Sequence, residues 1–186
     1  MKLYTKIILD RLCARLDAVI SVKQAGFRAG FCTADNIIAL RLLLQKSYEH
    51  KIDTHLVFLD FKKTFDMVSR KHLWMALRHY NIEEEMILAI IELYNDSKLS
   101  YQHMGKMFEM DSNCGVKQGD CLSPRLCTLL IQYVLDHIDL SDLGLHLEDK
   151  NKNNAGDIFL DYLAYADDIV FISGSAANLQ NMLVRL

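Results

Sequence analysis

The chain has 186 residues, 51% hydrophobic and 24% charged, with a formal net charge of −3. These globular values exclude a disordered, collagen-like or low-complexity chain, and a chain of this length buries roughly 70% of its unfolded surface. One proline and eight glycines leave few breakers, so long helices are expected and a many-stranded sandwich is not. No apolar run approaches the roughly 20 residues of a membrane span. Asp10 and Arg11 interrupt the N-terminal run too early for a signal peptide, and the five cysteines form no C-x-x-C pair. A reduced protein of the cytoplasm or nucleus is expected, neither secreted nor membrane-bound. Residues 1–48 carry eight Lys/Arg against three Asp/Glu, and residues 111–186 five against eleven. That asymmetry would suit one phosphate-facing and one cation-facing surface, although counts alone favour plain unevenness.

Leu3, Ile7, Ile8, Leu12, Leu16, Val19 and Ile20 recur at three- and four-residue spacing and predict an amphipathic helix. Residues 21–33, with Gly26 and Gly30, read as a loop. Asp35 is placed to cap a helix to about His50 that turns Ile37, Ile38, Leu40, Leu43 and Leu44 inward. Leu56-Val57-Phe58-Leu59, ending in Asp60, predicts a buried central strand with a carboxylate at its C-terminal end. Helices are expected from Ser69 to about Tyr80 and from Glu83 to about Asp96, the second with acids in its first turn where the helix dipole favours them. Leu99 to Met110 reads as a hairpin turning at Gly105-Lys106. Pro124 opens a helix to about Leu140, and residues 141–157 read as a polar surface loop. Leu160 to Ala164 and Ile169 to Ser173 flank Tyr165-Ala166-Asp167-Asp168 as a hairpin with carboxylates at its tip, and a last helix begins near Ala176. The class is α+β, an antiparallel-rich sheet with helices on one face.

If the strand ending in Asp60 lies beside that hairpin, Asp60, Asp167 and Asp168 converge at one sheet edge. Carboxylates that close repel unless a cation neutralises them, and hard oxygen donors suit magnesium. Two such ions roughly 3.5–4 Å apart suit phosphoryl or nucleotidyl transfer.

Four ordered blocks resemble the reverse transcriptases of non-LTR retrotransposons and their group II intron relatives. They are Gln24-Ala25-Gly26-Phe27-Arg28-Ala29-Gly30 with Thr33 and Asp35-Asn36-Ile37; Phe58-Leu59-Asp60-Phe61-Lys62-Lys63-Thr64-Phe65-Asp66-Met67-Val68; Gly115 to Leu126 with Gln118-Gly119 and Ser123-Pro124; and Tyr165-Ala166-Asp167-Asp168. The resemblance implies a right-hand polymerase, with partial fingers in residues 1–53 and a palm in 54–186. Hairpin 99–110 would be a fingers-side element, and the chain would stop before the thumb. It implies RNA-directed DNA polymerase activity, with Asp60, Asp167 and Asp168 as catalytic acids holding two Mg2+ ions, Mn2+ being the alternative. Arg28, Phe61, Phe65, Gln118 and Gly119 would bind substrate: Arg28 facing the triphosphate, Phe65 under the sugar, and the Gln118-Gly119 turn lining nucleotide and template. Asp66 and Lys63 would hold the palm together. Partners would be an RNA template, a DNA primer, a dNTP, and an additional polypeptide supplying a thumb.

The sequence departs from the family pattern at Ala29, Phe31, Cys32, Thr64 and Cys127. Phe31 stands where a second fingers arginine is usual, and losing one charged hydrogen bond of roughly 1.5–3 kcal/mol would weaken triphosphate binding tenfold or more. The alternative function is a truncated or domesticated, catalytically inactive retroelement remnant that binds nucleic acid.

Overall fold

The computed structural model describes residues 2–95, 97–147 and 158–186. In chain order these form α1 (Lys2–Val19), α2 (Thr33–His50), β1 (His55–Leu59), α3 (Thr64–Met67), α4 (Arg70–His79), α5 (Glu84–Tyr94), β2 (Lys98–His103), β3 (Lys106–Asp111), α6 (Ser123–Asp136), β4 (Leu145–Leu147), β5 (Ile158–Leu160), β6 (Tyr162–Tyr165), β7 (Asp168–Ser173) and α7 (Ala176–Arg185). The mixture of helices and antiparallel strand pairs is the expected α+β class. Among the described residues no helix is long and apolar enough to cross a membrane. Two compact units emerge, each built from two stretches: Met1–Val19 with Lys62–Leu130, and Ile20–Phe61 with Ile131–Leu186.

In the first unit α1 buries Thr5, Ile8, Leu9, Leu12 and Leu16, a stripe at helical spacing. Leu3 and Ile7, expected on that stripe, are exposed, because burial follows one line of the helix and apolar residues also stand off it. Leu73 and Leu77 of α4, Ile87 and Ile90 of α5, and Leu122, Leu126 and Leu129 around the start of α6 are fully buried. Ser69 is the N-cap of α4, as expected, and Glu84 and Glu85 fill the first turn of α5. β2 and β3 pair with Tyr101 opposite Phe108, their rings stacked at 5.0 Å. The turn is Met104-Gly105, one residue earlier than expected. Helix α6 ends at Asp136 rather than Leu140.

In the second unit the sheet order is β1-β7-β6, all antiparallel. The central strand is therefore β7, and β1 is at an edge, with Phe58 72% exposed. Both segments are unbroken apolar runs, so pattern alone could not say which is buried on both faces; β7 is, from Ile169 to Ser173. One face packs Leu163, Val170 and Ile172 with Leu43 of α2 and Leu145 and Leu147 of β4. β4 pairs with β5, which corrects the loop expected over 141–157 at its first end. The run Asp149 to Asn154 lies outside the described residues.

Helix α2 begins two residues before Asp35. Cys32 is its N-cap, and its backbone N–H donates to the Asp35 carboxylate at 2.6 Å, so Asp35 is the reciprocal partner of the cap. The helix buries only Leu43 and Ser47 fully, with Ala39 and Leu40 packed beside them. Ile37, Ile38 and Leu44 are exposed, contrary to expectation.

Phe171 sits at 0% exposure and meets Tyr162 edge to face at 6.5 Å. Phe171→Ala should destabilise the protein by about 3–5 kcal/mol through lost burial and a residual cavity. Urea denaturation measures this as a lower midpoint with an unchanged slope.

Candidate active site

Three acidic positions lie at one end of the β1-β7-β6 sheet. Leu59 of β1 pairs with Ile169 of β7; Asp60 follows the first and Asp168, the first residue of β7, precedes the second, so the register brings their backbone positions side by side at this end of the sheet. Asp168 also pairs with Tyr165 across a two-residue turn, Ala166-Asp167. Asp60 and Asp168 are exposed and Asp167 is half-buried. Asp60 and Asp168 border a cleft of about 370 Å3 with Asn36, Phe58, Leu163 and Tyr165. In donor chemistry, hard carboxylate oxygens from two separate stretches fit a divalent cation. Among the described residues, however, no three His, Cys, Asp or Glu side chains form a group arranged to hold a metal ion.

The turn itself is held from outside the hairpin. Ala166 has φ 57°, whereas Asp167 does not enter the left-handed region. Left-handed backbone costs a non-glycine residue about 1 kcal/mol, and Ala166 is buried. Its peptide groups are satisfied by one side chain, that of Gln24. The Ala166 N–H donates to Gln24 Oε1 at 2.7 Å, and Gln24 Nε2 donates to the Ala166 carbonyl at 2.9 Å. Gly26 N–H also donates to Gln24 Oε1, at 2.9 Å. Around this clasp, Ala164 N–H donates to the Lys23 carbonyl and Ala25 N–H to the Ala164 carbonyl, both at 2.9 Å. Asn36 Nδ2 donates to the same Ala164 carbonyl at 2.8 Å. Lys23 pairs with the mostly buried Asp161. Segment 23–25 thus lies along β6 as a one-bridge parallel neighbour. A Cβ on Gly26 would lie 2.1 Å from the Ala166 nitrogen, so glycine is required there by close approach.

Gln24 opens the first motif block, but sequence reading gave it no role, because its partner Ala166 lies 142 positions away. Arg28, expected to face a triphosphate, donates from Nη1 to the Ser21 carbonyl at 2.6 Å and the Gln24 carbonyl at 3.3 Å, and lies 4.4 Å over the Phe31 ring. Phe61 is exposed at the end of this unit's first stretch.

The remaining expected site residues belong to the first unit. Phe65 is half-buried, and its carbonyl accepts from Val116 N–H at 2.8 Å, while Gly115 N–H donates to the Val68 carbonyl at 2.8 Å. Gln118 Nε2 donates to Asp66 at 2.9 Å, so Asp66 ties the second motif block to the third. Gly115 has φ 80°, and a Cβ there would meet the Asp66 carbonyl at 2.7 Å. Gly119 is exposed with open space around it. Beside it, Lys117 donates to the Leu93 carbonyl. Burial pushes the Lys117 ammonium below the ordinary lysine range, the positive charge of Arg70 adds to this, and Asp120 opposes it.

A family model for reverse transcriptase (RNA-dependent DNA polymerase) matches residues 1–186. The chain is 29% identical over 175 residues to the retrovirus-related Pol polyprotein from type-2 retrotransposable element R2DM of Drosophila melanogaster, covering 92% of this chain and 16% of that one. It is 26% identical over 162 residues to the type-1 element R2 Pol polyprotein of Popillia japonica, covering 85% and 24%. It is also 33% identical over 98 residues to the telomerase reverse transcriptase of Oryza sativa subsp. japonica, covering 50% and 7%. The chain thus spans no more than a quarter of these relatives. Apo telomerase from Candida tropicalis, truncated from its C-terminal domain, superposes with a TM-score of 0.69 at 14% identity, covering 97% of this chain and 36% of that one. The fold is that of the right-hand polymerases, and the chain belongs to the reverse transcriptase (RNA-dependent DNA polymerase) family.

Proposed function

We propose that this chain carries template-directed DNA synthesis: the 3′-hydroxyl of a DNA primer, paired to an RNA template, attacks the α-phosphorus of a dNTP, and pyrophosphate leaves. The observation that supports this most is the β1–β7 register, with Leu59 opposite Ile169, which leaves Asp60 and Asp168 neighbours at the turn that bears Asp167. In this reading residues 54–186 are palm and 1–53 partial fingers, with the β2–β3 hairpin on the fingers side. Asp60, Asp167 and Asp168 would hold two divalent cations, Mg2+ or Mn2+. The chemistry that such cations supply when bound is activation of the attacking hydroxyl and neutralisation of the leaving group's charge. The carboxylates fix where that charge is concentrated. Phe65 would pack under the sugar and disfavour a 2′-hydroxyl, and Phe61 would contact the nucleotide. The Gln118-Gly119 turn would present backbone to the nascent pair, its glutamine steadied by Asp66. A thumb supplied by further polypeptide would grip the duplex.

A second reading, nucleic-acid binding without synthesis, draws on Arg28. Its guanidinium is engaged by two loop carbonyls and by Phe31, the residue standing where a second cation is usual. The test is extension of a DNA primer on an RNA template by the complete protein, with Mg2+ and dNTPs. Incorporation is expected. Salt-dependent RNA binding with no extension would favour the second reading.

A further inference from the structure

We propose that Gln24 is a positioning residue for the acidic turn, an inference that rests on the polymerase reading of that site. Gln24 is 1% exposed and its side chain is engaged by the backbone of Ala166 and Gly26, so it acts through Ala166. A primary amide presents one donor and one acceptor in a plane. Here they engage the carbonyl and the N–H of the same residue, Ala166, at 2.9 and 2.7 Å. That pair replaces the strand partner that the outward side of the turn lacks, and it satisfies the peptide groups of a buried residue in left-handed backbone. Asp167 is the next residue. Without the clasp, the peptide groups on both sides of Ala166 lose their buried partners and the turn is free to relax to another conformation, carrying Asp167 with it. No other side chain offers this chemistry at the same length: glutamate accepts but, when ionised, cannot donate, and methionine does neither. Gly26 admits the turn to the clasp, since any side chain there would meet Ala166 backbone.

The experiment compares the complete protein with its Gln24→Met and Gln24→Glu variants by amide hydrogen exchange and by primer extension. The Ile172 N–H, which donates to the Asp161 carbonyl at 2.8 Å, serves as an internal reference for general opening of the same unit. Both variants are expected to lose exchange protection at Ala166 while keeping it at Ile172. Their kcat should fall about 10- to 100-fold, as when an outer partner of a metal ligand is removed, the Mg2+ concentration for half-maximal rate should rise, and the KM for dNTP should hold. Unchanged Ala166 protection overturns the proposal, and so does equal loss at Ala166 and Ile172, which would make Gln24 a general packing residue. Wild-type kcat and Mg2+ dependence in Gln24→Met also overturn it. If the wild type extends no primer, the polymerase reading fails, and with it the catalytic meaning of the clasp. The exchange data then report separately whether the clasp holds the turn.

Discussion

Asp60→Asn is expected to lower primer extension by on the order of 10³-fold, with Asp167→Asn behaving alike. The substitution keeps the side chain's shape and removes its charge, replacing one anionic oxygen with an amide NH2 that repels a cation. Preorganised charge at a polymerising centre acts where charge develops, and deleting one such element costs about 10²–10³-fold in related electrostatic sites; a carboxylate proposed to hold both cations belongs at the upper end. The fold should not suffer. Asp60 is exposed at the end of an edge strand, where substitutions usually change stability by no more than about 0.5 kcal/mol. The diagnostic result is therefore a dead enzyme with an unchanged urea midpoint. A folded Asp60→Asn protein that extends primers at the wild-type rate would refute the assignment of these acids.

The sequence made the elements and the order of the four blocks readable, because those depend on local periodicity and on residues close in the chain. The acidic turn was legible as a hairpin from its two apolar arms. What it could not disclose is pairing. Gln24 meets Ala166 across 142 positions, and Gln118 meets Asp66 across 52; nothing in a local window couples them. Strand rank was hidden for a related reason. Leu56–Leu59 and Ile169–Ile172 carry the same unbroken apolar signal, and only the presence of β6 beside β7 makes the latter central. Ile37 and Ile38 misled for the opposite reason: they are apolar and helical but stay exposed, outside the cluster that Leu40 and Leu43 join against the sheet. The two unit-internal junctions share a device that could have been suspected. In each, a motif glycine has a partner's backbone where its side chain would be, Gly26 against Ala166 and Gly115 against Asp66.

Gly26→Ala should therefore do more than remove a little flexibility. Its Cβ would fall 2.1 Å from the Ala166 nitrogen and 2.7 Å from the Ala166 Cα, distances that no rotamer can relieve because Ala has none. Neither side can yield cheaply. Segment 23–26 is fixed by the bonds of Lys23, Ala25 and Gly26, and the turn by its register in the hairpin. Overpacking commonly costs about 1–3 kcal/mol and sometimes more, and a backbone-on-backbone clash belongs at the high end, about 3 kcal/mol. Gly30→Ala is the control. Gly30 has φ 82° with nothing within 4 Å of its Cβ position, so its substitution should cost only backbone strain, about 1 kcal/mol. Urea midpoints for the two variants separate close approach from conformational freedom, and primer extension should fall much further for Gly26→Ala because the clash pushes on the residue before Asp167. Equal, small losses for both would show that the loop and the turn are not in contact as described.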